Sequence, residues 1–114
     1  MTKINQISFL DLFQVIDAHY PYVIAEIGNN HQGSFENAIK LIDQAIWAGA
    51  DAVKFQKRCN KKLFIPDFFD SPYINESSFA DTYGEHRELV ELNITEMSKL
   101  NDYCKDRGIT FFAT

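Results

Sequence analysis

Two short apolar runs, residues 22–28 (YVIAEIG) and 50–56 (ADAVKFQ), flank a single stretch of helical periodicity. Nothing else in the chain constrains the fold as much. Phe35, Ala38, Leu41, Ile42, Ala45 and Ile46 recur at the spacing of one helix face. Ser34 is placed to cap that helix, and Gly49 to end it. A crossover of this length joins parallel strands, because a hairpin needs only a few residues. Residues 22–56 therefore read as a βαβ unit.

The pattern continues downstream. Residues 57–84 hold Pro66, Pro72, Gly84 and many aromatics, and read as a long loop with short helical turns. Loops of that length are uncommon unless they are functional or mobile. Within it Phe64, Phe68, Phe69, Tyr73 and Phe79 are expected to pack a lid or an interface. EHRELVEL reads as a short helix. Asn93 and Glu96 have the spacing of a capping box, ahead of a helix that runs to about Arg107 with Met97, Leu100 and Cys104 inward. Gly108 ends it, and ITFFAT (109–114) is a third strand. Upstream, Phe9, Leu12, Phe13 and Ile16 share one helical face within residues 8–18, with Ser8 as cap and Pro21 as breaker.

Alternating strands and helices predict a parallel sheet with helices outside it. A parallel strand with an open edge is a poor place for a domain to finish. The expectation is the start of a larger α/β fold; the alternative is a small three-stranded domain complete in itself.

Composition narrows the function classes. The chain has 114 residues and a net charge of −5. Its one basic cluster, KRCNKK, is too short to track a phosphate backbone, which argues against nucleic acid. No apolar run approaches the roughly 20 residues of a membrane span. The N-terminus lacks a signal peptide's long apolar core. Two cysteines, Cys59 and Cys104, make no disulfide framework, so free thiols and a cytoplasmic location are expected.

The chemistry lies at the strand ends. Side chains alternate along a strand, so Val23, Ala25, Ile27, Val53 and Phe55 suit packing under helices. Glu26, Lys54, Gln56 and Thr114 then point to the other side. Ligands bind at the carboxyl ends of strands in open α/β sheets and barrels. A carboxylate, an ammonium, an amide and a hydroxyl there suit an oxygen-rich anionic ligand. The competing reading is a buried Glu26–Lys54 pair that only neutralises itself, which is weak evidence of stabilisation. The residues alone leave these two readings even. His31 is expected to hydrogen-bond its turn; His86 is similar, Arg87 reads as a helix-surface charge, and His19 has no partner in sequence. The three histidines show no metal-ligand spacing.

Several motifs in order, IAEIGNNHQG, AGADAVKFQ, YGEHREL and GITFFAT, strongly resemble the N-terminal part of the sialic acid synthase family, over about residues 22–114. The resemblance implies a TIM-type (β/α)8 barrel. Such a barrel needs about 250 residues, so this chain holds about three of its parallel strands, with residues 1–20 as an N-terminal extension. It implies condensation of phosphoenolpyruvate with an N-acetylated amino-sugar aldehyde, either N-acetylmannosamine or a 2,4-diacetamido sugar, with release of phosphate. Lys54 then resembles the phosphoenolpyruvate-binding lysine, Gln56 a sugar-binding amide and Glu26 the carboxylate near the reacting centre. Thr114 resembles a residue near the phosphate, and Asn75 is a loosely aligned candidate for sugar contact. A divalent ion, manganese or magnesium, is implied with ligands outside this chain, as is a homodimer of the full-length protein. These 114 residues alone are expected to have little or no synthase activity. A truncated, non-catalytic binding or assembly module is the alternative. An aldolase-like barrel using Lys54 as a Schiff base is more distant.

Overall fold

The computed structural model describes residues 21–114, and the helix expected over residues 8–18 lies outside them. Three parallel strands run side by side in chain order: β1 (Ile24–Gly28), β2 (Ala52–Phe55) and β3 (Thr110–Ala113). The crossover from β1 to β2 is α1 (Phe35–Trp47). Ser34 caps it by accepting a bond from the Asn37 amide at 3.2 Å. Its buried residues are Ala38, Ile42 and Ala45, three of the six that the periodicity selects.

The return to β3 carries four helices. These are α2 (Asn60–Leu63), α3 (Pro66–Phe69), α4 (Tyr83–Leu89) and α5 (Ile94–Arg107). The capping box at the start of α5 forms as the sequence predicts. Asn93 Oδ1 accepts from the Glu96 amide at 2.8 Å, and Glu96 Oε2 accepts from the Asn93 amide at 2.9 Å. Met97, Leu100 and Cys104 turn inward. They meet Ile42, Val53, Phe55, Leu92 and Ile109 in one core between sheet and helices. Burial pushes the Cys104 thiol up to about 12, so it packs as a small apolar residue. Cys59 and Cys104 are both free.

The segment expected to be irregular is more ordered than its composition suggests. Pro66 sits at the first turn of α3, where a missing N–H costs nothing. Between α3 and α4, Pro72 bridges Thr82, and the Tyr73 amide donates to the Asp81 carbonyl at 2.8 Å. Phe64, Phe68, Tyr73 and Tyr83 pack ring against ring, with centroids 4.8–5.5 Å apart. The aromatics of the long loop therefore do pack, and they hold α2, α3 and α4 against one another. Among the described residues, no helix is long and apolar enough to cross a membrane.

Candidate functional site

The register of the sheet decides which side chains meet. Glu26 lies directly opposite Lys54, and Lys54 opposite Phe112. The β1–β2 pairing then shifts between Glu26 and Gly28, so that Gly28 faces Phe55. Gly28 has φ +55, and a Cβ built there would stand 3.1 Å from Glu26 Oε1 and 3.7 Å from Gln56 Nε2. Glycine thus supplies a backbone form that other residues rarely adopt. It also leaves the gap into which the Glu26 and Gln56 side chains converge.

Lys54 Nζ stands 3.0 Å from Glu26 Oε2 and 3.2 Å from Oε1. The pair expected from the sequence does form, but it is not sealed. The Lys54 side chain is 20% exposed and that of Glu26 53% exposed. Among the described residues, the helices cover the opposite face of the sheet, where Val53, Phe55 and Phe111 pack. Alternation along the strand sets which face Lys54 takes, and among the described residues no helix covers that face.

Thr114 joins the same row. Its amide donates to the Phe55 carbonyl at 3.1 Å, and its carbonyl accepts from the Lys57 amide at 2.8 Å. Those two bonds bracket Gln56, so Thr114 sits beside it at the strand tips. All four candidate residues are therefore neighbours at the carboxyl end of the sheet.

Behind them lies a second polar layer. Lys57 Nζ and the Arg58 amide both donate to Glu91 Oε2, at 3.0 and 3.4 Å. The Glu91 side chain is only 8% exposed. His31 is fully buried and stacks on Phe55 with ring centroids 5.9 Å apart. Its Nδ1 accepts from the Gly33 amide at 3.0 Å, so it does close its own turn. Burial holds its pKa below the usual histidine value, against the nearby Glu91 and Glu96 carboxylates, which would raise it. His86 accepts from the Phe79 amide at 3.2 Å and stacks on that ring. Burial lowers its pKa too, helped by Arg87. His19 lies outside the described residues.

One residue differs from its sequence reading. Arg87 is no plain surface charge, because its Nε and Nη2 are shielded from solvent and have no hydrogen-bond partner. Asn29, which drew no attention in sequence, has both amide atoms in the same condition. Asn75 turns inward on its own loop, accepting from the Ser77 amide at 2.8 Å. Among the described residues, no group of three or more His, Cys, Asp or Glu side chains is placed to hold a metal ion.

The class this arrangement defines is an α/β domain with a carboxylate, an ammonium, an amide and a hydroxyl side by side at the carboxyl ends of its parallel strands. Comparison with known proteins makes that class specific. Residues 41–114 match the model of the NeuB family, and the chain belongs to that family. It is 41% identical over 93 residues to N-acetylneuraminate-9-phosphate synthase of Drosophila melanogaster, covering 82% of this chain and 25% of that protein. The Homo sapiens protein of the same name is 38% identical over 96 residues, covering 84% and 27%. N,N'-diacetyllegionaminic acid synthase of Legionella pneumophila is 32% identical, covering 82% and 26%. The crystal structure of the Bacillus subtilis spore coat polysaccharide biosynthesis protein SpsE superposes with a TM-score of 0.50 at 33% identity, covering 81% of this chain and 23% of that one. The chain thus spans about a quarter of the length of the relatives it matches.

Proposed function

We propose that this chain is the N-terminal part of a phosphoenolpyruvate-dependent nonulosonic acid synthase barrel. The single observation that supports this most is the joint placement of Lys54, Glu26 and Gln56 on an open sheet face. In this reading the Lys54 ammonium binds the anionic end of phosphoenolpyruvate. The methylene carbon of phosphoenolpyruvate attacks the aldehyde carbon of an N-acetylated amino sugar, forming the new C–C bond while the aldehyde oxygen takes a proton. Water adds to the resulting oxocarbenium carbon. Glu26 orients that water and accepts its proton. The C–O bond to the phosphoryl group then breaks, a carbonyl forms and inorganic phosphate leaves. Gln56 hydrogen-bonds the sugar, and Thr114 lies near the phosphate. In the full-length family protein a homodimer is the assembly to expect.

The substrate side has two candidates. Relatives named for N-acetylneuraminate 9-phosphate are 38–41% identical to this chain, and relatives named for diacetyllegionaminic acid 31–32%. That order favours an N-acetylmannosamine-type sugar, with or without phosphate, over a 2,4-diacetamido sugar. The test uses the complete gene product carrying this chain, incubated with phosphoenolpyruvate, manganese and each sugar. Formation of a 2-keto nonulosonic acid together with an equivalent of phosphate is expected. The absence of product from every sugar, together with unchanged phosphoenolpyruvate affinity in Lys54→Ala, rejects the reading in favour of a non-catalytic module.

A further inference from the structure

Among the described residues, the ladder that holds the strand tips stops at Lys57, whose amide donates to the Thr114 carbonyl at 2.8 Å. The next residue, Arg58, belongs to no strand. Its peptide is gripped instead by one ion pair. The Arg58 amide donates to Glu91 Oε2 at 3.4 Å, and the Arg58 carbonyl accepts from Lys57 Nζ at 3.3 Å. Lys57 Nζ closes the clamp on Glu91 Oε2 at 3.0 Å. We propose that Glu91 is a positioning residue for the synthase site: it pins the chain where β2 ends and so fixes the aim of Gln56 at the sugar. The proposal rests on the synthase reading above and adds to it a residue that touches no substrate.

The alternative is an ion pair that only adds stability, and several observations weigh against it. A carboxylate as buried as Glu91 loses hydration that one ammonium offsets poorly. Both of its bonds come from a single oxygen, because Oε1 is shielded and has no hydrogen-bond partner among the described residues. Both land on the two residues that directly follow Gln56. The carboxylate is also carried on a fixed support. Glu91 lies between α4 and α5, flanked by the buried Val90 and Leu92 and two residues ahead of the Asn93 capping box. Its own amide donates to the Glu88 carbonyl at 3.2 Å. A site residue keeps its aim when its supports are themselves locked. On the other side of Gln56, Phe55 is held by stacking on His31, a ring that lies close to the same carboxylate. Gln56 is therefore fixed on both flanks. Lys54 stands outside the clamp, because its place is set within the ladder, opposite Glu26 and Phe112. Loss of the clamp should disturb the sugar amide and spare the phosphoenolpyruvate lysine.

The test separates reach from charge. Glu91→Asp keeps the charge but withdraws the oxygen by one methylene. Glu91→Gln keeps an accepting oxygen in place and gives up the charge. Both are made in the complete gene product and assayed with phosphoenolpyruvate and whichever sugar gives product in the assay above. Calorimetric phosphoenolpyruvate affinity, melting temperature and amide hydrogen exchange at residues 57 and 58 are measured alongside. Glu91→Asp is expected to raise the sugar KM about 3- to 10-fold, the range of one neutral hydrogen bond. Its kcat and phosphoenolpyruvate affinity stay in place, and the two amides exchange faster. Glu91→Gln is expected to keep the sugar KM of the unaltered protein, even where its melting temperature falls. A stabilising ion pair gives the reverse order, with Glu91→Asp tolerated and Glu91→Gln the damaging change, and that result overturns the proposal. So does a Glu91→Asp variant whose sugar KM is unmoved, or one that loses sugar and phosphoenolpyruvate together. Where no sugar gives product, hydrogen exchange decides. Faster exchange at residues 57 and 58 in Glu91→Asp alone leaves the clamp standing while the synthase reading fails, and unchanged exchange overturns the clamp as well.

Discussion

Replacing Lys54 with methionine separates a binding lysine from a structural one. In the resting protein Lys54 is bonded only to Glu26 among the described residues, at 3.0 and 3.2 Å, on a face that water reaches. Exposed pairs of this kind contribute less than about 1 kcal/mol. Methionine keeps most of the apolar stem and Glu26 is already half in water, so Lys54→Met is expected to change unfolding stability by less than about 1 kcal/mol. Its effect on phosphoenolpyruvate is expected to be much larger. Removing one partner of a hydrogen-bonded charge pair that binding desolvates costs about 2–5 kcal/mol. That corresponds to roughly 30- to 5,000-fold weaker binding. Urea titration and calorimetric phosphoenolpyruvate titration of the same variant give both numbers. A stability loss above about 3 kcal/mol, the range for breaking a buried pair, with affinity unchanged, refutes the assignment. The companion Glu26→Gln is expected to retain phosphoenolpyruvate binding while turnover falls about 100-fold or more, the usual share of a general base.

Three further outcomes test the scaffold. Gly33 has φ +78, and a Cβ there would fall 2.1 Å from the Leu89 carbonyl oxygen, so Gly33→Ala is expected to cost more than about 3 kcal/mol in urea unfolding through combined strain and clash. Asn93→Ala removes the capping box of α5 and is expected to cost about 1 kcal/mol, read from the midpoint shift at constant m-value. Burial lowers the His31 pKa in the folded state, so below the unfolded value of about 6.5 the unfolded chain binds the proton more readily. The stability tied to His31 is therefore fully present above that value and is lost as pH falls toward the lower folded pKa. A His31→Gln variant with the same loss between pH 7 and 5 would move the effect elsewhere, His86 being the other histidine lowered by burial.

Much of this was legible before any coordinates. The 3.6-residue spacing of Ala38, Ile42 and Ala45, and the capping pair Asn93 and Glu96, are local signals that survive into the structure because tertiary packing agrees with them. The parallel pairing followed from crossover length. The fate of Lys54 was only half legible. Period-2 alternation says which face it takes, but not whether anything covers that face. Arg87 was misread for a related reason. Its place on α4 is a local matter, while its shielding depends on tertiary packing, and no short-range pattern encodes that. Asn29 was passed over because an asparagine next to a glycine is explained well enough as turn chemistry.

The two polar regions differ in what holds them, and that difference bears on what each can do. Glu26, Lys54 and Thr114 are set by backbone pairing, opposite one another or bracketed by ladder bonds. Groups fixed by a sheet keep their spacing, as a reacting centre needs. A cleft beyond Gly28 is walled instead by the β1–α1 turn, residues 76–79 and the last turn of α4. Those parts rest on aromatic stacking around Tyr73, Phe79, Tyr83 and His86 rather than on strand pairing. Loops on a rigid frame are where binding preference changes most easily. A substitution such as Phe79→Ala should therefore loosen the walls of the cleft while leaving the Lys54–Glu26 spacing, and with it phosphoenolpyruvate binding, in place. Should phosphoenolpyruvate binding weaken as well, the cleft and the strand tips would have to be one mechanical unit.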